Sequence, residues 1–400
     1  MKNNFIISKQ FIFMLGLLTA LVAFAIDISL PAIPTMVRSL NTSISLGQQV
    51  IGVFMAGMAI GQIPFGLWSD RLGRLPILFF GIGIFTIAGA VTSTSQDINI
   101  LLIARFIQGF GSSAGLVLSR AMVRDISSGR DSARILSAMV MVFTSAPMIA
   151  PIFGAALTDY FGWRGPFAAT TIAGLMIICG IKLTLRETLE FQKQPKIHIQ
   201  LIQSLKQFFS HGASQFGLLI VSVTLMGIFP FITGSVAIVV EIYGYSVKFF
   251  GYMFATSGIA ILIGSSINRK LLLYFDELKI IGLGATLASL AGIQLLFMIN
   301  QTEVAFWWLW INLCIFMFST AFLLPNATSI ALNPVPKIAG VAASIIGTMQ
   351  SLAGAISAII SSSLYTGTIN NVITIVSISG LTTFIIYLMR YNFIAKTSTQ

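Results

Sequence analysis

The sequence predicts an all-α membrane protein. Its twelve transmembrane helices form two six-helix bundles, with both termini on the cytoplasmic side. Three observations carry this. Apolar residues make up 56% of the 400-residue chain and charged residues 9%, against about a quarter charged in soluble domains. Twelve apolar runs are long enough to cross a bilayer, which takes about 20 residues each. The 23 Lys and Arg also alternate in step with those runs. Nineteen fall on the side that holds the N-terminus and the even-to-odd connections, three (Arg38, Arg164, Lys248) on the other, and Arg105 inside a run. Basic residues concentrate on the cytoplasmic side, and an odd number of spans would break the alternation.

The runs of the first half cover 11–37, 46–68, 76–95, 99–119, 133–158 and 165–184. Those of the second cover 215–241, 249–268, 279–299, 304–328, 338–364 and 370–389. Residues 1–184 therefore read as an N-terminal bundle, 185–214 as a polar cytoplasmic linker, and 215–400 as a C-terminal bundle. The N-terminus reads as a retained first helix, since no small-x-small cleavage site precedes the apolar run. The last ten residues read as a disordered tail. The net charge of +11 reads as an orientation signal, not a nucleic-acid footprint.

Several chemistries drop out on inspection. Cys179 and Cys314 lie in apolar runs and offer no disulfide framework. His198 and His211 sit in the linker as solvated residues with no Cys, Asp or Glu set around them, so no metal site is expected. No Gly-x-x-x-x-Gly-Lys-Ser/Thr loop is present, so the expected energy source is an ion gradient or a partner, not ATP bound by this chain, and no cofactor is expected. An embedded enzyme would need a nucleophile–base pair or paired acids at depth, and only one deep acid is found.

That acid is Asp27, in FAIDISLPAIP. It lies about 24 Å along a helix that starts near Phe11. Pro31 and Pro34 follow, remove backbone donors and loosen the helix beyond it. A carboxyl beside a weakened helix suits a proton or cation site, because ionisable groups within the membrane are costly and functional by default. Arg105, the basic residue inside span four, needs a partner or a wet cavity for the same reason. Asp27 is the expected carboxylate. Gln108 stands three residues on, and Gly109 and Gly111 permit close helix approach.

Between spans two and three, Gly66, Asp70, Arg71, Gly73 and Arg74 sit in a connection too short to wander. With Arg124 and Asp125 at the end of span four they read as a charged clamp that holds one conformation. Pro147, Pro151 and Gly154 in span five read as a hinge. Glu241 reads as interfacial, and Gln108, Asn326 and Gln350 as candidate cavity-lining residues. Gly66-x-x-x-Asp70-Arg71 also echoes Gly264-x-x-x-Asn268-Arg269 at an offset of 198 residues, which points to two related halves.

Taken in order, these motifs resemble the major facilitator superfamily over essentially the whole chain. They resemble most the bicyclomycin/chloramphenicol-resistance (Bcr/CflA) group of drug–proton antiporters. The residues that carry the resemblance are Asp27-x-x-Leu30-Pro31-Ala32-x-Pro34, Gly66-x-x-x-Asp70-Arg71-x-Gly73-Arg74 and Arg105-x-x-Gln108-Gly109-x-Gly111. Val123-Arg124-Asp125, Ala146-Pro147-x-x-Ala150-Pro151-x-x-Gly154-Ala155 and Arg186-Glu187-Thr188-Leu189 add to it, as do Leu324-Pro325-Asn326-Ala327 and Ala339-Gly340-x-Ala342-Ala343-Ser344. The resemblance implies the major facilitator fold and an alternating-access carrier of small hydrophobic or amphipathic drugs. Such a carrier is a monomer in the bacterial inner (plasma) membrane that uses protons as the coupling ion. It implies a proton-cycling role for Asp27, coupling through Arg105, and a latch at Asp70, Arg71 and Arg74. The sequence departs from the group's pattern at Leu75, where a basic residue is common, and at Ala150 and Ala155, where glycines are. The partners expected are small molecules and the lipid bilayer, with no nucleic acid. A carrier for one metabolite such as a siderophore, amino acid or sugar is the alternative, and a membrane-embedded enzyme a remote one.

Overall fold

The computed structural model describes residues 8–127, 129–189, 197–299, 301 and 303–394. The described residues are helical, without a strand, and include twelve helices long and apolar enough to cross a membrane. Spans one to six run Lys9–Ser39, Ile44–Leu72, Arg74–Thr94, Ile98–Ile126, Arg134–Phe161 and Arg164–Thr184. Spans seven to twelve run Gly212–Ile242, Val247–Leu271, Glu277–Leu296, Phe306–Leu332, Gly340–Ser363 and Asn370–Leu388. Their boundaries follow local chemistry. Ser8, Asp97 and Ser246 each accept a backbone N–H of the helix they begin, as N-cap side chains do. Gly73 turns the chain between spans two and three at φ +101°, a conformation that side chains with a Cβ disfavour.

The chain divides into two compact units, 1–42 with 53–195, and 43–52 with 196–400. In the first unit span three packs against spans four and six, and span one packs against spans four, five and six. Spans two and four meet backbone to backbone. A Cβ on Gly57 would strike the Phe106 carbonyl, and one on Gly109 the Phe54 carbonyl. Gly111 lies equally close to span three, at Gly81 and Phe85. Lipid supplies no hydrophobic drive between helices, so this close van der Waals packing of small residues takes its place.

The second unit repeats the plan. Span nine packs against spans ten and twelve, and span seven against spans ten, eleven and twelve. With six added to each span number, the neighbours of spans one and three in the first unit recur in the second. The glycine contact recurs too, with Gly264 of span eight against Phe318 of span ten.

Two segments differ from the sequence reading. The stretch 185–214 contains a helix, Ile197–Ser210, which packs on spans seven and eleven and buries Ser204 and Phe208. Burial of those two side chains suits a half-covered helix better than a solvated linker. His211 stands at the N-cap position of span seven without a side-chain capping bond, and its Nδ1 lies 2.8 Å from the Gln207 carbonyl of the preceding helix. The side chain of His198, and Glu190, Lys193 and Lys196, lie outside the described residues. The expected tail begins as a short helix, Arg390–Ile394. Phe393 packs its ring 6.2 Å from that of Phe216, and its backbone lies against Gly212.

Candidate functional site

Span one is not a single helix. It runs from Lys9 to Asp27, breaks into a 3₁₀ turn at Leu30–Ala32, and resumes at Ile33–Ser39. The break follows from the sequence. Pro31 has no N–H for the Asp27 carbonyl and Pro34 none for that of Leu30. Asp27 is thus the last residue of the main helix. The residue is 4% exposed, and its carboxyl makes no hydrogen bond or ion pair with a described residue.

Span five supports the break from behind. Its helix runs unbroken through Pro147 and Pro151. Gly154 brings it so near that a Cβ there would overlap the Ile28 carbonyl. Of the residues read as a hinge, Gly154 thus seats the turn that follows Asp27. Ala150 and Ala155 are buried alongside.

Arg105 is fully buried. Its Nη1 donates to Gln108 Oε1 at 2.9 Å and its Nη2 to the Ala25 carbonyl at 3.2 Å. The guanidinium carbon lies 4.5 Å from the ring centre of Phe54 and 5.6 Å from that of Phe167, a favourable setting for a desolvated cation. Gln108 Nε2 then donates to Thr170 Oγ1 at 3.0 Å, which ties span six to the chain. The expected Asp27–Arg105 ion pair does not form. Arg105 engages span one two residues earlier, at a backbone carbonyl, and makes no bond to the Asp27 carboxyl.

At the junction of spans two, three and four lies the charged cluster that the sequence reads as a clamp. Arg74, 7% exposed at its side chain, holds Asp125 with two bonds, Nε to Oδ2 at 2.9 Å and Nη2 to Oδ1 at 3.2 Å. Its Nη1 reaches Asp70 Oδ1 at 2.5 Å and Ser69 Oγ at 2.8 Å. The planar guanidinium suits this bidentate arrangement. Arg71 and Arg124 are exposed and make no side-chain hydrogen bond with a described residue. Arg124 is within electrostatic range of Asp70, Arg74 and Asp125. Gly66 packs loosely against Val117.

The site also contains Glu187 and Thr188, to which the sequence reading assigned no role. Glu187 Oε1 accepts the Arg74, Thr188 and Leu189 backbone N–H groups, and Oε2 that of Leu75. Partial burial opposes ionisation, but these four donors prevail and hold the carboxyl below the usual range. Thr188 Oγ1 donates to Asp125 Oδ2 at 2.9 Å, the oxygen that also receives Arg74 Nε. The signal for this in the sequence is an acid three residues beyond Thr184, the last residue of span six.

In the second unit Asn326 Nδ2 donates to Asn268 Oδ1 at 2.9 Å and to the Phe322 carbonyl at 2.7 Å. Asn268 occupies the position that echoes Asp70, so an amide pair stands where the first unit has charges. Gln350 is half-buried and makes no side-chain hydrogen bond with a described residue, and Glu241 is exposed. Glu241 lies on a π-helical turn, Ala237–Ile242, that ends span seven.

Residues 15–358 match the family model of the Major Facilitator Superfamily. A bicyclomycin resistance protein homolog of Haemophilus influenzae is 27% identical over 356 residues, 89% of this chain and 88% of that protein. The uncharacterised MFS-type transporter YdgK of Bacillus subtilis is 31% identical over 347 residues, 86% of each chain. Multidrug resistance protein D of Escherichia coli is 27% identical over 353 residues, 88% of each. Among solved structures, a D-xylose–proton symporter superposes with a TM-score of 0.78 over 98% of this chain and 99% of that one, at 16% identity. At that identity the likeness is one of fold.

Proposed function

The chain belongs to the Major Facilitator Superfamily, and on that premise we propose that it is a proton-coupled exporter of small hydrophobic or amphipathic compounds, working by alternating access in the bacterial inner membrane with both termini cytoplasmic. The protein is a multi-pass membrane transporter, as its relatives are. The finer reading rests on one observation: Asp27 is buried, makes no hydrogen bond or ion pair with a described residue, and is placed where span one breaks. A buried charge without a partner is expensive, so this carboxyl gains by taking a proton or by meeting a cationic or polar group of a substrate. Both demands fall on one group, and proton and substrate therefore compete. An inward proton then drives an outward solute by mass action. Arg105 serves as the neighbouring cation. It holds the last turn of span one through the Ala25 carbonyl without quenching Asp27. The clamp at Asp70, Arg74 and Asp125 stabilises one of the two access states, and its release permits the other. The relatives named for drug resistance support hydrophobic or amphipathic compounds as the substrate class.

The test uses purified protein in liposomes with an imposed pH gradient and a panel of cationic and neutral drugs, wild type against Asp27→Asn. Gradient-driven drug movement that is lost in the variant is the expected result. Equal movement in both would remove Asp27 from the proton cycle. Inserted, folded protein that moves none of the panel would favour a carrier for a single metabolite.

A further inference from the structure

The geometry points to a role for the start of the inter-bundle segment: Glu187 and Thr188 are positioning residues that fasten it to the charged clamp. This rests on the clamp having the gating role given above. The chain leaves span six at Thr184 and turns back across the start of span three. There Glu187 does two things. Its carboxylate receives the first two N–H groups of span three, from Arg74 and Leu75, which have no partner within their own helix. It also receives the N–H groups of Thr188 and Leu189, which closes the strap on itself. An anion at a helix N-terminus is favoured by both the free donors and the helix dipole.

Thr188 completes the link. Its hydroxyl and the Arg74 guanidinium share Asp125 Oδ2. Arg74 is therefore held at both ends: its backbone by Glu187, and its side chain by the aspartate that Thr188 orients. Gly73 is matched to this arrangement, since a Cβ there would press on Glu187 Oε2 at 2.8 Å. From Lys196 onward the chain belongs to the second unit. Tension on the segment therefore reaches the strap first and the Arg74–Asp125 pair next. In this way a surface acid in a polar stretch becomes part of the gate.

The test reads amide hydrogen exchange of the purified full-length protein together with gradient-driven drug uptake. Glu187→Gln should raise exchange at the Arg74 and Leu75 amides about tenfold, as expected when a charge-assisted bond worth one decade is lost. Thr188→Val should slow uptake several-fold, Thr188→Ser should restore it, and the melting temperature should stay at the wild-type value in both. On an Asp125→Asn background Thr188→Val should add no further loss, because the two act through one contact. Wild-type exchange at those amides in Glu187→Gln would overturn the proposal. So would wild-type uptake in Thr188→Val, or equal losses with and without Asp125. If wild-type protein shows no gradient-driven uptake, the reading as a proton-coupled exporter fails, and amide exchange in Glu187→Gln still decides the strap.

Discussion

Arg105 donates to the carbonyl of Ala25, at 3.2 Å, and not to the carboxyl of Asp27 two residues later. The difference matters because the arginine can hold span one in place while the acid remains open to a proton or a substrate. A direct ion pair would lock both groups. Arg105→Lys keeps the charge but cannot donate to Ala25 and Gln108 in one plane or lie flat against Phe54 and Phe167. Gradient-driven uptake in liposomes should fall about tenfold in this variant, the equivalent of about 1.4 kcal/mol. Uptake at the wild-type rate would show that charge alone suffices.

The clamp should be sensitive to shape as well as to charge. Arg74→Lys loses the two-bond contact with Asp125 and one of the contacts to Ser69 and Asp70. The site is partly exposed at Asp70, 34%, so the cost should be moderate, about 1–2 kcal/mol. It should appear as slower uptake with little change in the apparent affinity for the drug. A change in affinity alone would place Arg74 at substrate binding instead.

Glu187 gives a dependence on pH. Its carboxyl is held below the ordinary range by backbone donors. A group whose folded value is depressed stabilises the protein fully above the unfolded value and loses that contribution as pH falls through the folded one. Wild type should therefore melt above Glu187→Gln at neutral pH, by the amount of an exposed cap, about 0.5–1 kcal/mol. The gap should close as pH is lowered below the ordinary value of 4.5. Parallel melting curves across that range would contradict this.

Helix contact in the first unit should tolerate substitution at one glycine and not at another. Gly109→Ala places a methyl against the Phe54 carbonyl, whereas Gly83 has nothing within 4 Å of a Cβ. The first should cost about 1–3 kcal/mol by overpacking. Gly83→Ala should be neutral or slightly stabilising. Thermal unfolding in detergent compares them directly.

Much of this was legible in the sequence because few forces were involved. Lipid demands long apolar runs, and insertion demands basic residues on one side, so span number followed from counting. The break after Asp27 followed from Pro31 and Pro34, whose missing donors act at fixed distances along the chain. The Gly109 and Gly111 contacts followed from the need for small residues where helices touch. What stayed hidden depended on partners far apart in the chain. Asn326 meets Asn268 across 58 residues, and Glu187 meets Arg74 across 113; no local pattern encodes either pairing. The helix at Ile197–Ser210 was obscured by its glutamines and Lys206, which make the stretch read as polar although it buries Ser204 and Phe208. The direction taken by Arg105 depends on helix rotation, which composition does not fix.

The central claim is that one carboxyl, Asp27, serves proton and substrate in turn. The most direct measurement adds a transported drug to the purified protein in weakly buffered detergent and records the protons released. Wild type should release protons as the drug binds, and Asp27→Asn should bind the drug and release none. Proton release from Asp27→Asn equal to that of wild type would contradict the claim and assign coupling to another group.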